Sequence, residues 1–178
     1  MLAQLRRRTW APRGCAPVVR ISEPHGRISV VGAITISPEG RHFCFYFQLS
    51  ADNTNFRGES VAQFIEYVRR RVPGPITLLW DQILIHQPVT DYLARHRSVV
   101  VVEPFPPYAP ELNPVDNVWP YVKYNRLPNY TPPNLCLLRQ RITAEFFRLR
   151  KRPDLLKSLF NHTGLSLDPV YLNDSEPY

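Results

Sequence analysis

The sequence predicts an α/β fold that forms one compact domain and begins with an antiparallel hairpin. One observation is a pair of β-branched and aromatic runs, residues 27–36 and 42–49, separated by a turn-forming stretch. A second is that helical patterns and short apolar runs alternate after this hairpin, as they do in α/β sheets. The third is that 44% of the 178 residues are hydrophobic, enough for a core of ordinary domain size.

The elements follow in order along the chain. Ser37-Pro38-Glu39-Gly40 is the turn of the hairpin. Pro73-Gly74-Pro75 ends the first helix, and a short apolar run, Ile76 to Trp80, then predicts a buried strand. A second helix is expected from Pro88, followed by a strand over Val99 to Val102. The apolar stripe of the first helix has helical spacing and consists of Val61, Phe64, Ile65, Val68 and Val72.

Prolines dominate the next segment, since nine of the 19 in the chain fall within residues 104–133. Asn113 is suited to cap a helix whose first residue is Pro114. Because Pro120 has no N–H to offer the carbonyl of Asp116, we expect a kink or loosened turn there. Two more helices are predicted, from about Pro133 to Arg150 and from Pro153 to near Gly164. Residues 1–165 are read as the domain and 166–178 as an acidic, loosely held tail.

The net charge of +7 is unevenly distributed, because residues 1–152 carry +10 and residues 153–178 carry −3. Clustered arginines suit a polyanionic partner such as DNA, whose phosphates are neutralised by Lys and Arg. Solvated helix faces are the other interpretation of each cluster. The clusters are Arg6, Arg7, Arg8, Arg13 and Arg20; Arg69, Arg70 and Arg71; and Arg139, Arg141, Arg148, Arg150, Lys151 and Arg152.

The three cysteines form no C-x-x-C pair, which argues against a disulfide framework and a zinc cluster and favours a reducing, intracellular setting. The longest apolar runs are much shorter than the roughly 20 residues that span a bilayer. We therefore expect no membrane span, and a cytoplasmic, DNA-associated location if the host is a bacterium.

Two aspartates carry the predicted chemistry. Asp81 stands at the carboxyl end of its strand, where open α/β sheets place functional groups, and Asp116 stands on the first turn of the helix after the proline-rich segment. Both can reach the same edge of the sheet. Paired carboxylates suit Mg²⁺, which prefers oxygen ligands, although such acids also serve as helix caps or solvated loop residues.

From Trp10 to about Leu167 the chain resembles the catalytic domain of mariner-type transposases and of the related bacterial insertion sequences, which are DDE superfamily endonucleases. The 34 residues between Asp81 and Asp116 match the spacing of the family's second and third catalytic acids. The matching segments are Arg8-Thr9-Trp10-Ala11-Pro12-Arg13-Gly14, Trp80-Asp81-Gln82 with His86, the block from Pro106 to Trp119 that contains Pro110-Glu111-Leu112-Asn113-Pro114-Val115-Asp116, and Lys123.

The resemblance implies a ribonuclease-H-like mixed sheet with flanking helices, and magnesium-dependent DNA strand cleavage and strand transfer. Asp81 and Asp116 would be the catalytic, metal-holding acids. Gln82 replaces the Asn that usually follows the second acid, and Asp116 stands where Glu is common. The family's first catalytic Asp lies on a strand upstream of the Arg-Thr-Trp segment, and no acid here precedes Glu23.

No other acid is expected to replace that first Asp. Asp52 would lie two strands away from it, about 9 to 10 Å sideways, and Glu39 and Glu23 are no better placed. The resemblance therefore implies that the chain lacks its first strand and the first acid of a two-ion magnesium site. It also implies that the chain lacks the helix-turn-helix region that precedes the domain in relatives. A homodimer or complementation by an upstream fragment would be the way to a complete site.

Further site residues are predicted from the charge clusters, the residue types and the resemblance together. Arg6, Arg7, Arg8, Arg13, Lys123, Arg139 and Arg141 are the candidate DNA contacts. His86 is expected to be a loop residue near the acids and not a metal ligand. Three aromatic residues are expected to pack around the acids and not to stack on bases, namely Trp80, Tyr108 and Trp119.

Three functions stay open from the sequence. The first is a DDE-type transposition protein, and the second is a catalytically inactive remnant that only binds DNA. The third is a nuclease of the same fold, such as a resolvase, against which the Leu112-Asn113-Pro114-Val115-Asp116 block argues.

Overall fold

The computed structural model describes residues 10–15, 26–80 and 87–166. Asp81 to His86, the arginines at positions 6 to 8 and the acidic tail beyond residue 166 lie outside the described residues. The predicted mixed α/β class is confirmed, with small sheets and flanking helices consistent with a ribonuclease-H-like domain.

The hairpin forms as the alternating sequence predicts. Strands β1 (Val30–Ile36) and β2 (Phe43–Leu49) pair antiparallel, with Ile34 opposite Phe45. The turn is closed by hydrogen bonds from the Gly40 amide to the Ser37 carbonyl (2.8 Å) and from the Ser37 amide to the His42 carbonyl (3.0 Å). Gly40 has φ +65°, which glycine adopts without steric cost.

Both faces of the hairpin are covered. On one face, Tyr46 packs against Phe64 and Val68 of helix α1 (Gly58–Arg69). The other face carries Phe43 and Phe45 into the main core, which three C-terminal helices complete. These helices are α3 (Pro114–Tyr121), α4 (Leu135–Arg150) and α5 (Pro153–Asn161). The hairpin is thus the middle of three layers.

A second pair of strands lies beyond helix α1. Strands β3 (Ile76–Trp80) and β4 (Val100–Pro104) pair in parallel, and helix α2 (Gln87–Arg95) connects them. Leu78 and Trp80 pack with Ala62 and Ile65 of α1 and with α2 residues Val89 and Tyr92. Helix α1 therefore contacts both strand pairs.

The strands of the described residues form two separate two-stranded sheets, where the sequence had predicted a single mixed sheet. The first sheet has the order β1-β2 and the second β3-β4, so within the described ranges β1 and β3 each pair along one side only. The predicted strands and helices are present, but the four described strands do not form the one sheet that was predicted.

The C-terminal half begins with a 3₁₀ turn at Pro110–Leu112 and continues into α3. Helix α3 runs through Pro120, and the departure from α-helical bonding comes after it, in a π-helical turn at Val122–Arg126. There the Leu127 amide donates to the Val122 carbonyl at 3.0 Å, five residues back. Among the described residues no helix is both long and apolar enough to cross a bilayer.

Candidate active site

The carboxyl ends of β3 and β4 lie side by side. Trp80 pairs with Pro104 in the parallel register, and the Phe105 amide donates to the Trp80 carbonyl at 2.9 Å. Asp81 follows Trp80 directly in the sequence, but positions 81–86 are outside the described residues. The structure thus describes the strand end that directly precedes Asp81, the second predicted acid.

Asp116 stands on the first turn of α3, as the sequence predicts. The Asn113 side chain caps this helix, because its Oδ1 accepts a hydrogen bond from the Val115 amide at 3.1 Å. Pro114 occupies the first helical position, and the Asp116 amide donates to the Asn113 carbonyl at 3.0 Å. The Asp116 side chain is half-buried and already has a partner within the fold.

Helix α3 is fixed to the core by residues that directly follow Asp116. The Asn117 Nδ2 donates to the Leu159 carbonyl of α5 at 3.1 Å, and Val118 is fully buried. The Trp119 ring meets the rings of Phe45 and Phe146 edge-on, with centroids 6.4 and 5.9 Å away. These contacts set the orientation of the backbone that carries Asp116.

The donor chemistry of Asp116 fits a hard divalent cation, since a carboxylate supplies the oxygen ligands that Mg²⁺ takes. A complete ligand set is not found in the described part of the chain, which brings together no group of three His, Cys, Asp or Glu residues. Whether Asp81 and Asp116 converge stays a prediction.

Asp52, which was not expected to replace the first catalytic acid, is bound to an arginine of α4. Its Oδ1 accepts a hydrogen bond from the Arg139 guanidinium at 2.5 Å, and the same guanidinium nitrogen donates to the Ser50 carbonyl at 2.6 Å. Arg139, a candidate DNA contact, therefore ties α4 to the end of the hairpin. Its side chain remains about one-third exposed.

Glu145, which was not among the residues singled out from the sequence, is buried among arginines. Its carboxylate is fully buried and lies 2.7 Å from the Arg126 Nε, 3.2 Å from the Arg141 Nε and 2.5 Å from the Arg148 guanidinium. The hydrogen bond that the Arg126 Nε donates to the Glu145 carboxylate raises the pKa of Arg126 above its ordinary value. The spacing of Arg141 and Arg148, four residues before and three after Glu145, was the signal that could have shown it.

Two of the three aromatic predictions are confirmed and one is wrong. Trp80 and Trp119 pack in the core clusters, as expected. Tyr108 does not pack, because its side chain is fully exposed at 102% of the reference area. Its backbone has φ +60° in a proline-rich loop, and this conformation directs the ring into solvent.

The remaining candidate DNA contacts lie on separate elements. Arg13 is exposed, whereas Arg6, Arg7 and Arg8 lie outside the described residues. Lys123 is half-buried on the π-helical turn, with its Nζ 5.5 Å from the Tyr124 ring centroid. Arg141, on α4, lies against Glu145.

A family model described as the DDE superfamily endonuclease matches residues 1–135, which is more than two thirds of the chain. The chain belongs to the DDE superfamily of endonucleases. The match includes Asp81, Asp116 and the whole block from Pro106 to Trp119. A search of curated proteins finds no match.

Membership of the DDE superfamily indicates a transposase-like nuclease. Endonuclease domains of this superfamily act on DNA and generally use divalent metal ions. Helix α3, which carries the predicted third acid Asp116, lies within the described residues.

Proposed function

We propose that this chain functions in DNA transposition of the mariner or bacterial insertion-sequence type. Asp81 and Asp116 would be its second and third catalytic acids. The observation that carries the proposal is the path from the Trp80 carbonyl, through its hydrogen bond with the Phe105 amide, to the Asn113-capped helix that bears Asp116. This path joins the carboxyl edge of the parallel strand pair to the helix of Asp116 through one continuous segment, residues 105–113.

In this proposal the carboxylates of Asp81 and Asp116 hold Mg²⁺. The bound ion supplies Lewis-acid activation for DNA strand cleavage and strand transfer. The chain's own residues position the DNA through phosphate contacts, for which Arg13 and Lys123 are the described candidates. Arg139 and Arg141 stay partly exposed beside the acids they bind, and Arg6, Arg7 and Arg8 are further candidate phosphate contacts.

We also propose that the first acid is supplied by an upstream fragment, with a homodimer as the other candidate assembly. Within the described residues each of the four strands leaves one edge without a strand partner. An unpaired edge presents backbone N–H and C=O groups that an added strand can bind. Residues 1–165 would form the domain, and the protein would act in the cytoplasm of a bacterial host.

The test is a nicking assay on DNA that carries the transposon ends, with Mg²⁺ or Mn²⁺, with and without a polypeptide encoded upstream that contains an Asp-bearing strand. We expect cleavage only in the complemented reaction. Asp81→Asn and Asp116→Asn should each abolish it, whereas Glu111→Gln, an exposed acid just before α3, should leave it unchanged. Full cleavage by Asp116→Asn would refute the proposed site.

A catalytically inactive DNA-binding remnant is the second candidate. It is favoured by the arginine clusters of the chain, which suit DNA phosphates whether or not a metal site is complete. DNA affinity that falls steeply with salt, without metal-dependent nicking in the complemented reaction, would support this candidate over the first.

A further inference from the structure

Tyr108 differs from every other aromatic side chain of the segment between β4 and α4, because none of its surface is covered. Its relative exposure is 102%, while Phe105, Trp119 and Tyr121 are partly or largely covered. A bare aromatic ring in water leaves apolar surface unburied. The exposed ring therefore has no packing role in the described structure.

The backbone at Tyr108 makes this exposure more unusual. Its φ of +60° lies in the left-handed region, which glycine and asparagine adopt readily and bulky aromatic residues rarely do. A tyrosine in this conformation costs free energy that a glycine would not. Neither the packing nor the backbone therefore explains why this position carries a tyrosine.

The loop that carries the ring is stiff. Pro106 and Pro107 precede Tyr108 and Pro110 follows Ala109, so that three φ angles of the loop are fixed by pyrrolidine rings. The Leu112 amide donates to the Ala109 carbonyl at 3.1 Å, which anchors the far side of the loop. A side chain on such a loop loses little further freedom when it binds a ligand.

The loop also lies at the candidate site. It starts from Phe105, whose amide bonds the Trp80 carbonyl, and it ends at Asn113, which caps the helix of Asp116. Tyr108 therefore lies on the loop that joins the end of β4 to the helix of Asp116, both of which the proposed function uses. A solvent-facing aromatic ring in that place has the chemistry to stack on the face of a nucleobase.

We propose that Tyr108 stacks on an unpaired base of the DNA beside the cleavage site, either a splayed terminal base or one flipped from the duplex. The inference rests on the proposed function and adds a specific contact to it. Stacking accepts any base, so the ring would recognise an unpaired end and not a sequence. The phosphate contacts would supply the affinity for paired DNA.

The test compares two DNA probes with the full chain, without requiring cleavage. One is a blunt duplex, and the other is the same duplex with a short single-stranded 3′ tail that contains 2-aminopurine, whose fluorescence falls on stacking. We expect the parent protein to prefer the tailed duplex and to quench its fluorescence. Tyr108→Asn, which keeps a residue suited to positive φ, should lose about 5- to 150-fold in affinity for the tailed duplex and should lose the quenching.

The controls separate stacking from folding and from DNA binding in general. Tyr108→Phe keeps the ring and should retain both affinity and quenching, and Tyr108→Asn should bind the blunt duplex like the parent and unfold at no lower a temperature. Equal binding of the tailed duplex by parent and Tyr108→Asn overturns the inference alone. An equal loss on both duplexes also overturns it, because the ring would then not be reading an unpaired base. A parent protein that binds neither duplex refutes the proposed function instead.

Discussion

The ring of Trp119 lies so close to the backbone of Gly32 that a Cβ built at this glycine would be 2.9 Å from the ring's Cη2. The same Cβ would lie 3.1 Å from the Phe45 ring. The ring is also enclosed by Phe146, so it has little room to move away. The block that carries Asp116 thus packs directly on the hairpin, through a position where a side chain does not fit.

Gly32→Ala should consequently lower the free energy of unfolding by about 1–3 kcal/mol, the usual effect of an extra methyl group in a packed core. Urea denaturation followed by circular dichroism measures it. Trp119→Phe in the same chain should relieve part of the clash, so that the double variant loses less than the sum of the single variants. Additive losses would show that Gly32 and Trp119 do not meet.

Asn113→Ala removes the side-chain cap of α3 and leaves the Val115 amide without its acceptor. We expect a loss of about 0.5–2 kcal/mol in unfolding free energy, and a lower nicking rate in the complemented assay because Asp116 stands on the uncapped turn. Asn113→Asp retains a capping oxygen and should restore the stability. Equal unfolding free energies for Asn113→Ala and Asn113→Asp would contradict the capping role.

Glu145→Gln should destabilise the chain by about 1–3 kcal/mol, because charge-assisted hydrogen bonds to a buried carboxylate are replaced by weaker bonds to a neutral amide. The three arginines are partly exposed and can be hydrated, which limits the loss. Thermal unfolding measures the effect. Glu103→Gln, an exposed acid at the end of β4, is the matched control and should change little.

Acid should weaken the contact between α1 and α2 through Glu66. Its carboxylate accepts hydrogen bonds from Arg69 (2.7 and 2.8 Å), from the Tyr92 hydroxyl (2.6 Å) and from Arg70 (2.6 Å), and these bonds hold its pKa well below the ordinary value of 4.5. Since the folded-state pKa is lowered, this stabilisation is complete above about pH 4.5 and is lost as the pH falls below it.

The measurement is the free energy of unfolding of Glu66→Gln and of the parent between pH 7 and acid. The variant should be less stable at neutral pH, and the difference should shrink progressively below about pH 4.5. Glu59→Gln on the same helix, an exposed acid, is the control and should follow the parent. A difference that is constant with pH would show that the ionised carboxylate of Glu66 does not contribute.

Local signals made most of the elements predictable. Alternation and a turn located the hairpin at residues 27–36 and 42–49, and Asn113 followed by Pro114 located the start of α3 to the residue. Each of these signals lies within a few residues of the feature it predicts. They depend on backbone chemistry that the rest of the fold does not change.

Features that depend on distant partners were not predictable in the same way. Arg139 was interpreted as a phosphate contact, yet it binds Asp52, 87 residues away in the chain. Tyr108 was expected to pack because most large aromatics are buried, but its ring is fully exposed. No local pattern in the sequence predicts its positive φ. The separation of the strands into two sheets likewise depends on long-range pairing and not on any one segment.

The π-helical turn at Val122–Arg126 accommodates an extra residue in this part of the chain. Such a turn contains one residue more than an α-helical turn, and Asn125 within it is exposed. Deleting Asn125 would remove that extra residue, and the Leu127 amide would then bond the Val122 carbonyl four residues back, as in an ordinary α-helix. The residues on either side would keep their faces, so Arg126 would stay beside the buried Glu145 carboxylate and the turn should tolerate a shortening that a regular helix would not.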